Sequence, residues 1–411
     1  KNVPLRIYAY KNLLTRSPQL ITEKKVSENG EITFNIPLSE AQLLYIPIYS
    51  FKLIFYAEPN KEITLQLPNF SKLKEAFTEL KSYSKREIPL FVKENNSLNQ
   101  TITNYDKAYN AFLKANFHSI YNKGNAEKYD TKIQELKKLG NSPYFKTYAT
   151  YKEAYVSYVA GLRNELLPTF FAGKSLQLHN TAYVSLLRKL AKEVATEFPR
   201  APSYRRLYNS FLNAKSYDGL GKIGKGLAKT SDKKFNEHFL IYVLYLGKER
   251  RLISQKIVLQ KLQLIAQQSP YKRNKQLAKS IIVQSKGNFK GKNAPKFSQK
   301  ASNGKTYSED IFKSEKPTIV AFFDSAVSND ESISTLEDLQ KKHKNVFNVV
   351  VFSCEKEQPQ IPENWTQFVV PYYSYILTDY RLGRFPYYVL VEKNGKISTQ
   401  TWQQYLISLE E

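Results

Sequence analysis

The sequence predicts a multi-domain α+β chain in three consecutive parts: a small antiparallel β-sandwich over residues 1–68, a helical domain over 69–283 and an α/β domain over 284–411. Three observations carry this reading. Short alternating segments parted by turn residues fill the first part, apolar stripes of helical period fill the second, and near-continuous apolar strands alternate with helices in the third. With 411 residues, 42% of them hydrophobic, the chain is long enough to bury more than one core.

In the first part Leu5-Arg6-Ile7-Tyr8-Ala9-Tyr10 alternates. Residues 26–36 predict a hairpin turning at Asn29-Gly30, a pair that accepts the positive φ of tight turns. Ile32, Phe34 and Ile36 then face inward while Glu31, Thr33 and Asn35 face water. Residues 51–56 and 62–67 are further strands, separated by Glu58-Pro59-Asn60-Lys61 and closed by Pro68. No chemistry-bearing cluster stands out among them.

In the second part Tyr105, Tyr109, Phe112, Leu113, Phe117 and Ile120 follow helical spacing, and Tyr144, Tyr148, Tyr151, Tyr155, Tyr158 and Leu162 form a one-face stripe. Such a stripe fits helix packing with hydroxyls reaching water at the rim; a ligand groove is the alternative. Two later helices run through Leu240, Val243, Leu244 and Leu246, and through Ile257, Leu259, Leu262 and Ile265. Breaks are expected at Gly140-Asn141-Ser142-Pro143, Phe198-Pro199-Arg200-Ala201-Pro202 and Gly219-Leu220-Gly221. In the third part, strands are expected over 318–323, 346–352 and 387–392, a helix over 332–342 with Ile333, Leu336 and Leu339 on one face, and a turn at Lys393-Asn394-Gly395-Lys396.

Composition excludes several chemistries. One cysteine, Cys354, rules out an internal disulfide or a cysteine-rich metal site, and His118, His179, His238 and His343 stand in no metal-ligand spacing. No Gly-x-Ser-x-Gly elbow and no phosphate-binding Gly-rich loop occurs. No apolar run reaches membrane-spanning length. The net charge of +25 is concentrated: residues 69–283 carry 38 Lys and Arg against 16 Asp and Glu, while the flanking parts are nearly balanced. Such a segment attracts an anionic surface, a lipid or an acidic glycan, or it is a solvated lysine-rich helical face; no motif points to nucleic acid.

The third part becomes specific enough to suggest a family. Gly291-Lys292-Asn293-Ala294-Pro295-Lys296-Phe297, then Asn303-Gly304-Lys305, then Lys316-Pro317-Thr318-Ile319-Val320-Ala321-Phe322-Phe323 resembles the start of TlpA-type thioredoxin-like domains. The segment from Tyr380 through Phe385-Pro386-Tyr387 to the Asn394-Gly395 turn is similar to the stretch of that family that carries a cis-proline and the strand after it. The three-part layout also resembles exported proteins of Gram-negative bacteria, many of them lipoproteins. That resemblance implies a thioredoxin-like fold for 284–411, a cis Pro386 facing the redox loop, and a periplasmic or outer-membrane-associated location. The chain starts at Lys1, which reads as a mature form whose export signal is not in view.

The departure from the family matters as much as the match. Where a thioredoxin places Cys-x-x-Cys, this chain has Ala326-Val327-Ser328-Asn329. Ala326 and Asn329 take the two cysteine positions, so the dithiol reaction has neither its nucleophile nor its resolving thiol. Ser328 and Asn329 before Asp330 and Glu331 suit a helix start instead. Cys354 is the single reactive-thiol candidate, with Glu355 and Glu357 beside it working against thiolate formation. The expected role is a non-catalytic envelope protein, without cofactor, that binds extended peptides or envelope proteins in a groove formed by Ala326, Asn329, Phe385, Pro386 and Tyr387. The alternatives are a thiol-disulfide oxidoreductase, which needs cysteines that the chain lacks, and an anionic lipid or glycan binder acting through residues 69–283.

Overall fold

The computed structural model describes residues 4–48, 51–67, 86–95, 97–123, 130–285, 291–324, 330–343, 346–354, 360–370, 374–380 and 385–408. Its first part is two antiparallel-rich sheets face to face. Strands β1 (Pro4–Tyr10), β2 (Pro18–Lys25), β4 (Gln42–Ile48), β5 (Phe51–Ala57) and β7 (Arg86–Pro89) form one sheet in the order β2-β1-β4-β5-β7. The second sheet is β3 (Glu31–Asn35), β6 (Glu62–Gln66) and β8 (Phe91–Val92), in the order β3-β6-β8. The β-structure therefore continues past Pro68: β7 joins β5 in parallel and β8 joins β6 antiparallel.

Alternation along the larger sheet sorts side chains by type. Leu5, Ile7 and Ala9 of β1 and Leu44 and Ile46 of β4 pack with Ile32, Phe34, Ile63 and Leu65 of the smaller sheet. The opposite face carries Tyr8, Tyr10, Leu43 and Tyr45, which pack into the helical part. Tyr45 stacks on both Tyr8 and Tyr10, with ring centroids 5.6 and 4.7 Å apart. Both faces of β1 are thus largely covered.

The alternation predicted for β3 holds: Ile32 and Phe34 are buried, Thr33 and Asn35 exposed. The hairpin does not. Gly30 turns with φ +82°, and the Gly30 N–H donates to Ser27 O at 3.0 Å, but β2 and β3 then enter different sheets. β3 pairs with β6, Glu31 opposite Gln66. The turn residues fix a corner, and the burial of Ile32 and Phe34 against the sandwich core chooses the partner strand.

The middle part comprises α1 (Leu98–Lys123), α2 (Asp130–Lys137), α3 (Pro143–Val159), α4 (Arg163–Leu166) running into a π-turn at Leu167–Phe171, α5 (Thr181–Glu197), α6 (Arg205–Asn213), α7 (Tyr217–Ala228), α8 (Lys233–Glu249), α9 (Gln255–Gln268) and α10 (Lys272–Ser285). Helix starts follow local chemistry: Ser142, Asn180, Ser216 and Asp232 each accept a backbone N–H at the start of α3, α5, α7 and α8. The first two expected breaks coincide with helix boundaries. The third does not, because Gly219 and Gly221 lie inside α7. The glycines of α7 act through packing, not breakage: a Cβ on Gly224 would come within 2.8 Å of Asn236 O on α8. α8 is the central helix, buried without interruption from Phe235 to Gly247.

The last part is a four-stranded sheet in the order β13-β12-β11-β14: β11 (Thr318–Asp324), β12 (Asn348–Cys354), β13 (Thr366–Val370) and β14 (Tyr387–Val391). β11, β12 and β13 run parallel and β14 runs antiparallel to β11. A small hairpin, β9 (Ser298–Lys300) and β10 (Thr306–Ser308), precedes it. Helices α11 (Asp330–Lys342), α12 (Tyr375–Asp379) and α13 (Trp402–Ile407) complete the unit. All seven residues of β11 are buried, since the sheet is covered on both sides. Val320 and Phe322 pack with Phe297, Phe352, Phe368 and Tyr380 on one face; Ile319, Ala321 and Phe323 pack with Ile333, Leu336 and Trp365 on the other. This is a thioredoxin-like sheet, and the whole chain is multi-domain α+β.

Candidate functional site

The candidate groove must be assembled at the carboxyl end of β11, where Asp324 closes the strand with 1% of its surface exposed. Ala326 and Asn329 lie outside the described residues. Further along the chain, Ile333 and Leu336 anchor α11 on the sheet.

The other predicted positions are in view. The Phe385–Pro386 peptide is cis. Phe385 is 9% exposed and belongs to the core cluster around Phe322 and Phe352, so it supports the segment from beneath. Pro386 and Tyr387 are half-buried. Tyr387 pairs with Phe322 in the β11–β14 register, with ring centroids 6.3 Å apart. Partial burial raises the Tyr387 phenol above its usual pKa, which keeps it a neutral donor.

Sequence reasoning passed over Tyr380. Its ring packs 4.9 Å from Phe322, and its hydroxyl is buried with no hydrogen-bond partner among the described residues. Burial, with Asp379 as the next cause, drives its phenol far above the ordinary range. Its neighbour Asp379 is held from the other end of the chain: Arg6 Nη1 donates to Asp379 Oδ2 at 2.9 Å and the Tyr8 hydroxyl to Oδ1 at 3.3 Å. No sequence signal links residue 6 to residue 379, because the contact depends on how the sheets pack.

Cys354 sits at the end of β12, fully buried, in register with Asp324 on one side and Val370 on the other. It packs in the apolar cluster with Phe322 and Phe352. Being the chain's single cysteine, it leaves dithiol exchange without a second thiol. The groove residues in view, Pro386 and Tyr387, offer an aromatic ring, a hydroxyl and backbone, with no acid-base pair and no metal-ligand group. Among the described residues no set of three His, Cys, Asp or Glu side chains could hold a metal ion.

The tyrosine stripe of α3 resolves into packing, with one difference from expectation. Four of its five tyrosine hydroxyls bond to protein instead of reaching water. Tyr144 donates to His179 O at 3.1 Å, Tyr151 to Phe170 O at 2.9 Å, Tyr148 to the Asp106 carboxylate at 2.8 Å, and Tyr158 to Glu193. No helix among the described residues is long and apolar enough to cross a membrane.

No family model and no curated protein sequence matches the chain. Among solved structures, a thioredoxin-like protein from Bacteroides caccae matches at 12% identity over 59% of this chain and 98% of its own, with a TM-score of 0.33. A thioredoxin domain of a thiol-disulfide oxidoreductase from Bacteroides vulgatus matches at 20% identity over 29% of this chain and 95% of its own, TM-score 0.24. A candidate thiol:disulfide interchange protein, DsbE, from Chlorobium tepidum matches at 19% identity over 30% of this chain and 98% of its own, TM-score 0.26.

Proposed function

We propose that this is a non-catalytic binding protein of the bacterial cell envelope, whose thioredoxin-like unit holds an extended peptide or envelope protein along Pro386 and Tyr387. One observation carries the reading: a thioredoxin-like sheet is paired with a chain that has one cysteine, and that cysteine is buried in the sheet core. What remains for the site is recognition. Half-buried Tyr387 on the short β14 supplies a ring and a hydroxyl beside main-chain groups, the combination by which extended peptides are gripped. The periplasmic or outer-membrane-associated location rests on resemblance to exported proteins of the same layout.

Two measurements test the proposal. The full chain should not reduce insulin in the presence of dithiothreitol, and Cys354 should react with a thiol reagent at least a hundredfold faster in denaturant than in buffer. An extended-peptide array probed with the full chain should give discrete binders whose affinity falls at least tenfold in Tyr387→Ala. Turnover of insulin, or peptide binding that ignores Tyr387, overturns the reading.

A further inference from the structure

A cleft of about 610 Å³ opens between the aromatic face of the five-stranded sheet and helices α3 and α5. Its volume is that of small-molecule sites, which favour seams between structural layers. The floor is apolar, with Leu13, Leu43, Ile54, Val184 and Leu246. The walls are cationic: Arg16, Lys152, Arg188, Lys189 and Lys192 line the cleft against a single carboxylate, Glu87.

The cations differ in what already neutralises them. Arg16 pairs with Glu87 at 2.8 Å and Lys152 with Asp106 at 2.9 Å. Arg188, Lys189 and Lys192 have no carboxylate at ion-pair distance among the described residues. Arg188 Nη1 donates to Leu14 O at 2.6 Å, which fixes its guanidinium at the rim, and Lys189 Nζ lies 5.0 Å from the Tyr155 ring centroid. On α5, residues 181, 185, 188 and 192 share one face, so Thr181 and Ser185 hydroxyls continue the same stripe. Like charges one turn apart repel, and Lys192 lies one turn beyond both Arg188 and Lys189, with all three lining an open volume. Tyr56 and Tyr148, also lining the cleft, keep their protons, first because of burial.

We propose that this cleft is a binding site for a small organic polyanion, a compact body bearing two or more phosphate, sulfate or carboxylate groups. The anionic groups meet Arg188, Lys189 and Lys192, the Thr181 and Ser185 hydroxyls take neighbouring oxygens, and the body rests on the apolar floor. The site is bounded and lies apart from the Pro386 segment, so it stands independently of the peptide groove. It also narrows the anionic partner that the charge of residues 69–283 suggests, from a broad surface to a cavity.

The test is calorimetric titration of the full chain at low ionic strength with inositol hexakisphosphate and, separately, with a heparin-derived tetrasaccharide. The expected result is saturable one-to-one binding of at least one probe, weakening as salt rises. Affinity should fall at least tenfold in the Lys189→Gln, Lys192→Gln double variant, which leaves the Arg188 anchor to Leu14 in place. A charge-matched control, Lys222→Gln, Lys225→Gln, lies on lysines that do not line the cleft and should bind nearly as the parent does. Tighter binding of the first probe assigns a phosphorylated ligand, and of the second an acidic sugar. Absence of saturable binding by both probes, or an equal loss in the control, overturns the proposal.

Discussion

The buried histidine of α8 makes a quantitative prediction about acid stability. His238 has no exposed surface, and its Nδ1 lies 2.9 Å from Asn274 Oδ1. Asn274 Nδ2 donates to Lys234 O at 3.0 Å, so Oδ1 is the end that faces the ring and must accept from an Nδ1–H. Nε2 then carries the lone pair, buried and without a partner among the described residues. Desolvation is the first cause that lowers the pKa from 6.5 to about 4; the bond to Asn274 opposes it, and the charges of Lys234 and Arg273 add to it. The folded chain therefore takes up this proton later than the unfolded chain on acidification. The stabilising contribution of neutral His238 is complete above pH 6.5 and drains away as pH falls towards 4. For one group with these two values the loss between pH 7 and pH 5 is about 1.8 kcal/mol. The assay is denaturant unfolding followed by helical circular dichroism, on the parent and on His238→Gln, at both pH values. The variant keeps an amide within reach of Asn274 and cannot titrate. Other groups cancel in the double difference, so the gap between the two proteins should shift by roughly 2 kcal/mol in favour of the variant at pH 5. A gap that stays constant refutes the argument.

Two further predictions use the same kind of measurement. In α7, Gly224→Ala places a Cβ 2.8 Å from Asn236 O and should destabilise by about 1–3 kcal/mol. Gly221→Ala meets nothing within 4 Å and should stabilise by roughly 0.5–1 kcal/mol, as an exposed helical position allows; a reversed order of the two midpoints removes the packing account of α7. The Arg6–Asp379 pair, 2.9 Å apart and partly exposed, should contribute about 1 kcal/mol or less. Asp379→Ala should lower the denaturant midpoint read by tryptophan fluorescence. Since Arg6 also pairs with Glu23 at 2.7 Å, the comparison is made in a Glu23→Ala background. There Arg6→Ala should add nothing to Asp379→Ala, and additive losses would mean that the two side chains act separately. Both tryptophans, Trp365 and Trp402, lie in the thioredoxin-like unit, so that signal reports it alone.

What the sequence revealed depended on whether the deciding interaction was local. β11 and β12 were legible because residues 318–323 and 346–352 are apolar on both faces, and that composition fits only a covered sheet. β13 was not legible: Thr366-Gln367-Phe368-Val369-Val370 is five residues long and opens on two polar ones. Gln367 is buried because its Nε2 donates to Ser353 Oγ at 3.2 Å, a partner 14 residues away. Asn29-Gly30 specified a turn correctly and its strand pairing wrongly, since a turn sets local geometry while the sandwich core sets the partner. Gly219 and Gly221 read as a break because glycine disfavours helices; α7 tolerates them where Gly224 must approach Asn236. In the candidate groove, Phe385 read as a lining residue because it adjoins Pro386, but only the packed structure shows that its ring belongs to the core.

The distribution of the cores bears on how the two proposed sites relate. One apolar cluster runs without interruption from Tyr8, Tyr10 and Tyr45 on the sheet through α3, α5 and α8 to α10. The sandwich and the helices therefore share a core along their seam, and the polyanion cleft opens in that seam. The thioredoxin-like unit keeps two clusters of its own, one on each face of its sheet. Among the described residues, a polar tie to the rest passes through Asp379, which Arg6 and Tyr8 grip from β1. Tyr8 stacks on Tyr45 within the shared core, while Tyr380, next to Asp379, packs on Phe322 beneath the Pro386 segment. A displacement of β1 would thus be felt first at α12, six residues before Phe385. The bonds to Asp379 are one link in a chain of packed residues between the two sites, through which occupancy of one can bias the other provided that the link has two arrangements of unequal affinity. Measuring polyanion affinity in Asp379→Ala addresses this directly: an unchanged value means that the cleft and the groove work independently on one chain.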